Sequence, residues 1–469
     1  MVFSSVTFLC IFFPIVFLLH AVLPNGKMRN AALILASLLF YAYGEPVYVI
    51  LLLVSVALNY LFGLGVAGRK KKAVLTAAVI VNIGLLFVFK YAGFFVSSLN
   101  SLLPGSAALP VPKLSLPIGI SFYTFQALSY VIDVYRGQTE VQRKFFRLLL
   151  YVSFFPQLIA GPIVKYHDIE KEIATRNAAV DDIFSGLTRF SIGLGKKVLI
   201  ANTMAYAADT IFAMPASNVG LLASWVGAIA YVLQIYFDFS GYSDMAIGLG
   251  RMFGFHFLEN FNYPYISDSI REFWRRWHIS LSTWFRDYLY IPLGGNRKGR
   301  TRTIINKYIV FFCTGFWHGA NWTFLIWGLF HGTLQMCEEK HWIPVHRGWR
   351  VFNHIYTLLM VTVGFVIFRA DTMGQAGTML AAMFGFGSKN SYGFVQAAAL
   401  LSPYMIVVLL CAIIGCTPLP KLLAERWRRT SAGRAVGEFA LMGLSLVLLG
   451  LSLMALAAES YNPFIYFRF

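Results

Sequence analysis

Long apolar runs, separated by short basic segments, recur from one end of the chain to the other. Runs of this length without polar alternation are typical of transmembrane helices rather than of β-barrel strands. The pattern therefore predicts an all-α polytopic integral membrane protein. The predicted spans cover residues 5–22, 31–42, 47–66, 73–97, 117–135, 218–238, 305–318, 322–337, 352–369, 394–415 and 437–457.

Lysine and arginine clusters set the orientation expected for the first spans. Lys27, Arg29 and the cluster at residues 69–72 follow apolar runs, and further basic residues occupy 136–147. Because cytoplasmic loops are enriched in lysine and arginine, these segments are expected in the cytoplasm and the N-terminus outside. The first 20 residues lack a basic leader and a small-residue cleavage site, which favours a retained span over a signal peptide.

Residues 148–164 form an apolar run that is too short to cross a bilayer. At about 1.5 Å per residue the run covers roughly 25 Å, and it contains Pro156 and Pro162. We expect a re-entrant segment, whose irregular backbone must lie inside protein or beside a wet cavity. Residues 165–197 are amphipathic and mixed in charge, and they are expected to lie along the inner face of the membrane.

Composition narrows the class of protein further. Hydrophobic residues make up 58% of the chain and charged residues 13%, with a net charge of +18. Since the basic residues lie between apolar spans, contact with anionic lipid is the expected role and nucleic-acid binding is not. The five cysteines form no CxxC pair and are expected to be inert core thiols. With no internal repeat and no appended soluble region, one transmembrane domain is predicted over residues 1–469.

The stretch from Ser267 to Gly332 contains the residues with the clearest chemistry. Its capping-box pattern, Ser269 to Glu272, predicts a helix from residue 270 to just before Pro292. On such a helix Trp274, His278, Leu281, Phe285 and Tyr288 would share one face, and Arg271, Arg275, Ser282 and Arg286 another. The arginines have two interpretations: contact with lipid headgroups, or capture of the phosphates of coenzyme A. The basic loop 294–302, GGNRKGRTR, is a second phosphate candidate.

His318 is a candidate functional residue, because an ionisable side chain at membrane depth is costly and usually functional. It lies in GFWHGANWTF, and if this segment is helical Asn321 shares its face. His331, 13 residues on, would lie about 140° away around a continuous helix, so no joint role is expected. No HxxxH or HExxH pattern supports a metal site, and no GxSxG pattern supports a serine nucleophile.

Asp238 and Ser240 lie at the end of an apolar run, in YFDFSGYSD. Two interpretations are open for them. Aspartate and serine suit helix caps, and Gly241 permits a turn, so a helix break is one interpretation. A role in lining a substrate site is the other.

At these residues the chain resembles the membrane-bound O-acyltransferase (MBOAT) family, in its bacterial branch of alginate O-acetyltransferase membrane subunits. The resemblance covers nearly the full length. It implies a bundle of about eleven spans with re-entrant and interfacial helices around a central cavity. The motifs that carry it are PIGISFYTFQALSYVIDVYRG at 117–137, FPQLIAGP at 155–162, LQIYFDFSGYSDMAIGLG at 233–250, the run at 260–299, FWHGANWTFLIWG at 316–328, FVIFRA at 365–370 and the terminal NPFIYFRF.

Residue roles follow from the resemblance. His318 matches the family's catalytic histidine, and His278 its second signature position. A neutral imidazole, with a reference pKa of about 6.5, could remove a hydroxyl proton as the oxygen attacks a thioester. The substrate-binding candidates that accompany these histidines are Trp317, Asn321, Trp274, Arg275, Arg276, Asp238 and Ser240.

The function expected from the resemblance is transfer of an acetyl group from cytoplasmic acetyl-CoA, without a bound cofactor or metal. A periplasmic or extracellular transferase partner would then acetylate an exopolysaccharide such as alginate. The expected location is the bacterial cytoplasmic (inner) membrane, crossed many times. Two alternatives remain open: another envelope acceptor (teichoic acid, peptidoglycan, cellulose or lipid), or a non-enzymatic glycan or lipid transporter. Transporters usually contain paired repeats, which this sequence lacks.

Overall fold

A computed structural model describes residues 1–343, 345, 347–427, 431–458 and 461–465. Helices and turns make up these ranges, with no β-strand among them, so the all-α prediction is confirmed. Two sequence features lie partly outside the described residues. One is the terminal motif, at residues 466–469, and the other is the basic segment between the last two predicted spans, at residues 428–430.

The chain divides into two compact units. The first comprises Met1–Phe190 with Met245–Leu258, and the second comprises Ser191–Asp244 with Glu259–Phe469. The prediction of a single domain stays a prediction.

Ten helices begin in the first unit. Some of them adjoin a π-helical turn. One such turn, Phe8–Phe12, precedes the first helix, and another, Phe87–Tyr91, joins the fourth helix to the fifth. The ten are Phe13–Val22 (α1), Gly26–Gly44 (α2), Tyr48–Val66 (α3), Lys71–Leu86 (α4), Ala92–Asn100 (α5), Ile120–Arg136 (α6), Phe145–Ser153 (α7), Phe155–Leu158 (α8), Tyr166–Ala174 (α9) and Val180–Gly195 (α10).

Among the described residues of the second unit, twelve further helices begin. π-helical turns occur here at Lys196–Ala201 and Arg286–Tyr290. The twelve are Asn202–Phe212 (α11), Leu221–Met252 (α12), Ile270–Arg276 (α13), Ile279–Phe285 (α14), Arg300–His318 (α15), Trp322–Glu339 (α16), Arg350–Arg369 (α17), Met373–Met383 (α18), Ser391–Leu400 (α19), Pro403–Gly415 (α20), Leu419–Trp427 (α21) and Ser431–Ala458 (α22).

Five helical stretches among the described residues are long and apolar enough to cross a membrane. A sixth span results if α19 and α20, bent by 67° at the break between them, count as one. Other predicted spans form helices that are shorter or more polar; α6, for example, has 17 residues. The chain is therefore a multi-pass membrane protein. The five stretches are Tyr48–Val66, Lys71–Asn100, Leu221–Met252, Arg350–Arg369 and Val436–Ala458.

The short apolar run 148–164 is broken, as predicted. α7 ends at Ser153, α8 lasts four residues, and the chain after it is irregular. All residues from 148 to 164 are buried. The Tyr151 hydroxyl donates a hydrogen bond to the Val164 carbonyl over 2.9 Å, which ties the irregular part to α7. The non-helical backbone thus lies inside protein, where its polar groups can be satisfied.

The cysteines are free thiols, but only Cys416 is buried, whereas Cys10 and Cys411 are exposed on helix surfaces. The expectation of core thiols was therefore wrong for these two residues. The apolar helices that carry them present such surfaces to lipid, which is as apolar as a protein core.

α15 and α16 form a closely packed antiparallel pair, and glycines permit the close approach. A Cβ atom built on Gly315 would lie 2.5 Å from the Phe324 carbonyl oxygen, which is backbone and cannot move aside easily. Small residues at helix interfaces of this kind are typical of membrane proteins.

We expect Gly315→Ala to lower the free energy of unfolding by about 1–3 kcal/mol, because the added methyl group overpacks the α15–α16 interface. Thermal unfolding of the purified protein in detergent measures the effect. Gly443→Ala on α22 is the matched control, since nothing lies within 4 Å of its added Cβ. Equal melting temperatures for the two variants would contradict the prediction.

Candidate active site

His318 is the last residue of α15, and the backbone turns sharply after it. Gly319 is extended, with φ of −175°, and Asn321 caps the N-terminus of α16 by accepting a hydrogen bond from the Thr323 amide over 3.2 Å. The Asn321 side chain also donates to the Asp371 carbonyl over 2.9 Å. The expectation that Asn321 shares a helix face with His318 was therefore wrong, because the helix ends between them. A polarising role for Asn321 stays a prediction.

His318 is 6% exposed, and aromatic rings surround its imidazole. The ring centroids of Trp317, Trp327 and Phe368 lie 5.0, 5.1 and 5.2 Å from it, each close to perpendicular. A void of about 10 Å³ adjoins the imidazole, which is close to the space that one water molecule needs. The candidate base is thus enclosed by protein rather than lying against lipid. The void is lined by Ile235, Phe239, Trp277, His318, Trp327, Phe365, Phe368 and Ile465.

His278 occupies the break between α13 and α14, in the left-handed backbone region with φ of 44°. The continuous helix predicted from residue 270 towards Pro292 was therefore wrong. The reason is Asn260, whose side-chain oxygen accepts hydrogen bonds from the Ser280 hydroxyl over 2.8 Å and from the Ser280 amide over 3.3 Å. The Asn260 carbonyl also accepts from the Ile279 amide over 2.9 Å. These hydrogen bonds take the place of the backbone hydrogen bonds that a continuous helix would form at this turn.

The same asparagine orients the His278 imidazole, which is 1% exposed. Nδ1 of His278 lies 3.2 Å from Oδ1 of Asn260, and the Asn260 amide nitrogen donates to the Ser243 hydroxyl. Since Oδ1 only accepts, Nδ1 carries the proton and Nε2 presents a lone pair. Among the described residues Nε2 has no hydrogen-bond partner. The imidazole is thus arranged to accept a proton or a hydrogen bond at Nε2.

Trp317 contacts both histidines. Its ring centroid is 5.0 Å from that of His318 and 5.9 Å from that of His278. Phe239 also packs against His278, with ring centroids 4.6 Å apart. The structure therefore brings His278 together with two predicted site residues, Trp317 and His318, that follow it by 39 and 40 positions.

A second cluster of rings continues from His318 towards His331. Trp327 contacts His318 at 5.1 Å and His331 at 5.4 Å, and Trp274 contacts Trp327 at 5.5 Å. The two histidines were expected to lie apart on one continuous helix, but the helix breaks after His318, and His331 lies on the next helix. Trp327 was missed, although its spacing of four residues from His331 on α16 could have indicated a shared face.

A cavity of about 460 Å³ lies on the other side of Trp274. Arg271, Arg275, Ser282 and Arg286, predicted to share a face, all line it although the helix is broken. The predicted basic loop contributes Asn296. Thr314 also lines the cavity, and it precedes His318 by one helical turn on α15. Trp274 in the cavity wall contacts Trp327, which in turn contacts the His318 imidazole. These two rings and one turn of α15 therefore separate the cavity from the imidazole. The full lining is Arg271, Trp274, Arg275, Leu281, Ser282, Phe285, Arg286, Tyr290, Asn296, Thr303, Lys307, Val310, Phe311, Thr314, Gln335 and Glu339.

Arg276 does not line this cavity. Its guanidinium forms an ion pair with Glu272 at 2.7 Å and donates to the Asn262 carbonyl. Lys307 in the cavity wall is paired with Glu339. Arg271 and Arg275 are therefore better placed than Arg276 to meet an anionic ligand. No cluster of three metal-ligating side chains occurs in the part of the chain that the structure describes.

Asp238 and Ser240 do not lie at a helix break. α12 runs unbroken from Leu221 to Met252, so the capping interpretation was wrong. Asp238 instead forms an ion pair with Lys197 at 2.7 Å, and both side chains are 2% exposed. Ser240 is buried on the same helix. Lys197 was not among the predicted site residues. Its position inside the apolar run 192–201 could have indicated it, because membrane-protein sequences rarely contain such a lysine without a function.

The buried ion pair also holds the C-terminal segment. The Ile465 amide donates to Asp238 Oδ2 over 2.8 Å, and Lys197 donates to the Pro463 carbonyl. Phe464 stacks on Tyr242 with ring centroids 4.7 Å apart. Because Ile465 lines the void beside His318, this pair positions one wall of the candidate site.

Comparison with known proteins identifies the family of this chain. Residues 141–370 match the model of the membrane-bound O-acyltransferase family. The chain is 41% identical to the probable alginate O-acetylase AlgI of Azotobacter vinelandii and 42% identical to that of Pseudomonas putida, each over the whole length of both chains. It is 37% identical to the peptidoglycan O-acetyltransferase of Helicobacter pylori, over 82% of this chain and 80% of that one. The chain therefore belongs to the membrane-bound O-acyltransferase family and is a multi-pass membrane O-acyltransferase.

Proposed function

We propose that this protein takes an acetyl group from acetyl-CoA on the cytoplasmic side and passes it across the membrane for O-acetylation of an exopolysaccharide such as alginate. The observation that carries the proposal is a buried His318 imidazole, beside a water-sized void, one helical turn from a cavity lined by three arginines. A base and an anion-binding surface at this spacing suit acyl transfer from a thioester that carries phosphates.

The proposed reaction needs one base and no cofactor. An acceptor hydroxyl oxygen attacks the thioester carbonyl carbon as His318 takes the hydroxyl proton; the C–O bond forms, the C–S bond breaks, and the proton passes to the coenzyme A thiolate. General-base catalysis of this kind contributes about 10²–10⁴-fold to a rate. His278, whose Nε2 has no hydrogen-bond partner among the described residues, is proposed to orient the acceptor by accepting a hydrogen bond.

The arginine-lined cavity is the proposed site for the donor. Arg271 and Arg275 are one helical turn apart on α13, and Arg286 reaches the same cavity from the segment after α14. Guanidinium groups form paired, charge-assisted hydrogen bonds with phosphate oxygens, which suits the phosphates of coenzyme A. Trp274, in the wall between the cavity and Trp327, is proposed to contact the donor near its acyl end.

The acceptor and the partner are proposed from the relatives. Two are named alginate O-acetylases and one a peptidoglycan O-acetyltransferase, so a hydroxyl group on a cell-envelope glycan is the shared acceptor chemistry. An extracytoplasmic transferase is proposed to receive the acetyl group and to complete the transfer. The cytoplasmic membrane of a bacterium is the proposed location, because acetyl-CoA is cytoplasmic and the glycan lies outside.

Incubation of the purified protein with radiolabelled acetyl-CoA tests this proposal. Alginate and peptidoglycan are supplied in parallel, each with and without a candidate partner protein. We expect label on alginate, dependent on the partner. Label on peptidoglycan alone would assign the alternative acceptor, and no turnover of acetyl-CoA in any mixture would contradict the proposed donor.

We expect Arg275→Gln to raise KM for acetyl-CoA by about tenfold with little change in kcat, because the lost hydrogen bonds hold a part of the donor that does not react. Arg276→Gln is the matched control, since the neighbouring guanidinium is paired with Glu272 outside the cavity. Steady-state kinetics in detergent measure both variants. If Arg276→Gln raised KM as much as Arg275→Gln, the cavity would not be the donor site.

A further inference from the structure

A second basic cavity, separate from the chemistry above, lies within the first compact unit. Its volume is about 480 Å³, within the range of small-molecule sites. It is enclosed by the end of α1, the start of α2, and the loop between α9 and α10. The lining residues are His20, Gly26, Arg29, Ile173, Ala174, Thr175, Arg176, Asn177, Ala178 and Phe253.

Arg176 is built firmly into the wall of this cavity. Its Nε donates to the Phe253 carbonyl over 2.9 Å, its Nη1 donates to Asn30 Oδ1 over 2.5 Å, and its guanidinium stacks on the Phe255 ring at 4.3 Å. Nη2 is buried and has no hydrogen-bond partner among the described residues. The side chain is therefore fixed by three contacts, and one of its N–H donors remains unsatisfied by the described residues.

Arg29 adds a second positive charge to the same cavity. Its Nε donates to the Leu23 carbonyl over 2.9 Å. Burial, and then the nearby charge of Arg29, lower the pKa of Arg176 to about 10. In the described part of the chain neither guanidinium forms an ion pair. Glu172, the neighbouring carboxylate, is paired with His256 at 2.8 Å and only partly offsets the charge at Arg176. The protein thus neutralises these two like charges incompletely.

Two further groups in the wall favour an anion. α2, a helix of 19 residues, begins at Gly26, so the positive end of its dipole faces this region. His20 is 7% exposed, and its buried Nε2 has no hydrogen-bond partner among the described residues. An imidazole nitrogen in such a position can donate to a phosphate oxygen.

We propose that this cavity binds a phosphate group through Arg29, Arg176 and His20. The phosphate belongs either to the headgroup of an anionic phospholipid or to a soluble phosphate. The predicted cytoplasmic position of Lys27 and Arg29, where anionic lipid attracts basic residues, makes the lipid accessible to the site. An anion here neutralises the two arginines and ties the start of α2 to the loop before α10. The site is independent of the acyl-transfer chemistry.

Native mass spectrometry of the full-length protein tests the lipid form of the proposal. The protein is released from nanodiscs of phosphatidylcholine mixed equally with phosphatidylglycerol, and the retained lipids are counted. We expect the wild-type protein to retain one phosphatidylglycerol molecule. The Arg29→Gln variant should bind this lipid about 10- to 100-fold more weakly. Lys27→Gln is the matched control, because Lys27 is exposed on the same helix and outside the cavity lining.

Titration with inorganic phosphate, followed by thermal unfolding in detergent, tests the soluble form. Stabilisation of wild type, weakened in Arg29→Gln and retained in Lys27→Gln, would assign the site to free phosphate. Arg176→Lys keeps the charge but loses the planar donor pair, so it should weaken whichever ligand binds. The proposal is overturned if wild type binds neither probe, or if Arg29→Gln and Lys27→Gln behave alike in both experiments. Neither readout depends on acetyl transfer, so the result is separate from the proposed function.

Discussion

Replacement of His318 by asparagine should lower acetyl transfer from acetyl-CoA by about 10²–10⁴-fold, which is the usual contribution of a general base. Asparagine keeps a polar side chain in the ring-lined pocket but has no basic nitrogen. The imidazole it replaces is held between Trp317, Trp327 and Phe368 beside the water-sized void. Release of free coenzyme A by the purified protein, measured with its acceptor and partner present, reports the loss.

The matched control is the same substitution at His341. That histidine is exposed, in a left-handed turn with φ of 59° that asparagine tolerates well. His341→Asn should therefore retain wild-type activity. Thermal unfolding shows whether His318→Asn stays folded. A folded His318→Asn protein with wild-type turnover would remove His318 from the proposed mechanism, and His278, with its unpartnered Nε2, would become the candidate base.

Replacement of Lys197 by methionine should lower the free energy of unfolding by about 3–5 kcal/mol. The change leaves the Asp238 carboxylate buried without its partner, and removing one member of a buried ion pair typically costs this much. Activity should fall as well, since the pair holds the C-terminal segment whose Ile465 lines the void beside His318. Denaturation of the purified protein in detergent measures the stability.

The adjacent lysine gives a close control. Lys196 pairs with Asp244 at 2.7 Å, but its side chain is 25% exposed, so Lys196→Met should cost no more than about 1 kcal/mol. The double variant Lys197→Met/Asp238→Leu should recover most of the stability, because no lone charge remains buried. Equal losses for the two lysine variants, or no recovery in the double variant, would contradict the assigned role of the buried pair.

Local sequence patterns predicted several features of the site correctly. The helix start at Ser269 is present, with the Ser269 hydroxyl accepting from the Glu272 amide over 3.1 Å, whereas the Glu272 carboxylate accepts from the Asp268 amide and does not complete the capping box. Arg271 and Arg275, four residues apart, do lie on one face and line one cavity. Such features depend on neighbours within one or two helical turns, and so the spacing of residues is enough to predict them.

The errors share a different cause. The break at His278 depends on Asn260, 18 residues earlier, whose side chain binds the turn more favourably than a continued helix would. A cap was one of the two interpretations of Asp238, and it is wrong because the partner of this aspartate, Lys197, is 41 positions away. A single sequence contains no signal for such pairs, since side chains far apart in the chain meet only after the helices pack.

The sequence by itself determined the class of this protein and indicated His318 as its candidate base. Apolar runs of bilayer length impose helices that satisfy their own backbone hydrogen bonds, and a histidine in such a run is costly and usually functional. Only the tertiary structure decided where helices stop, which charges neutralise each other, and which arginines face a cavity. Those outcomes depend on packing between distant segments, and packing fixes the shape of the space in which the acyl group must react.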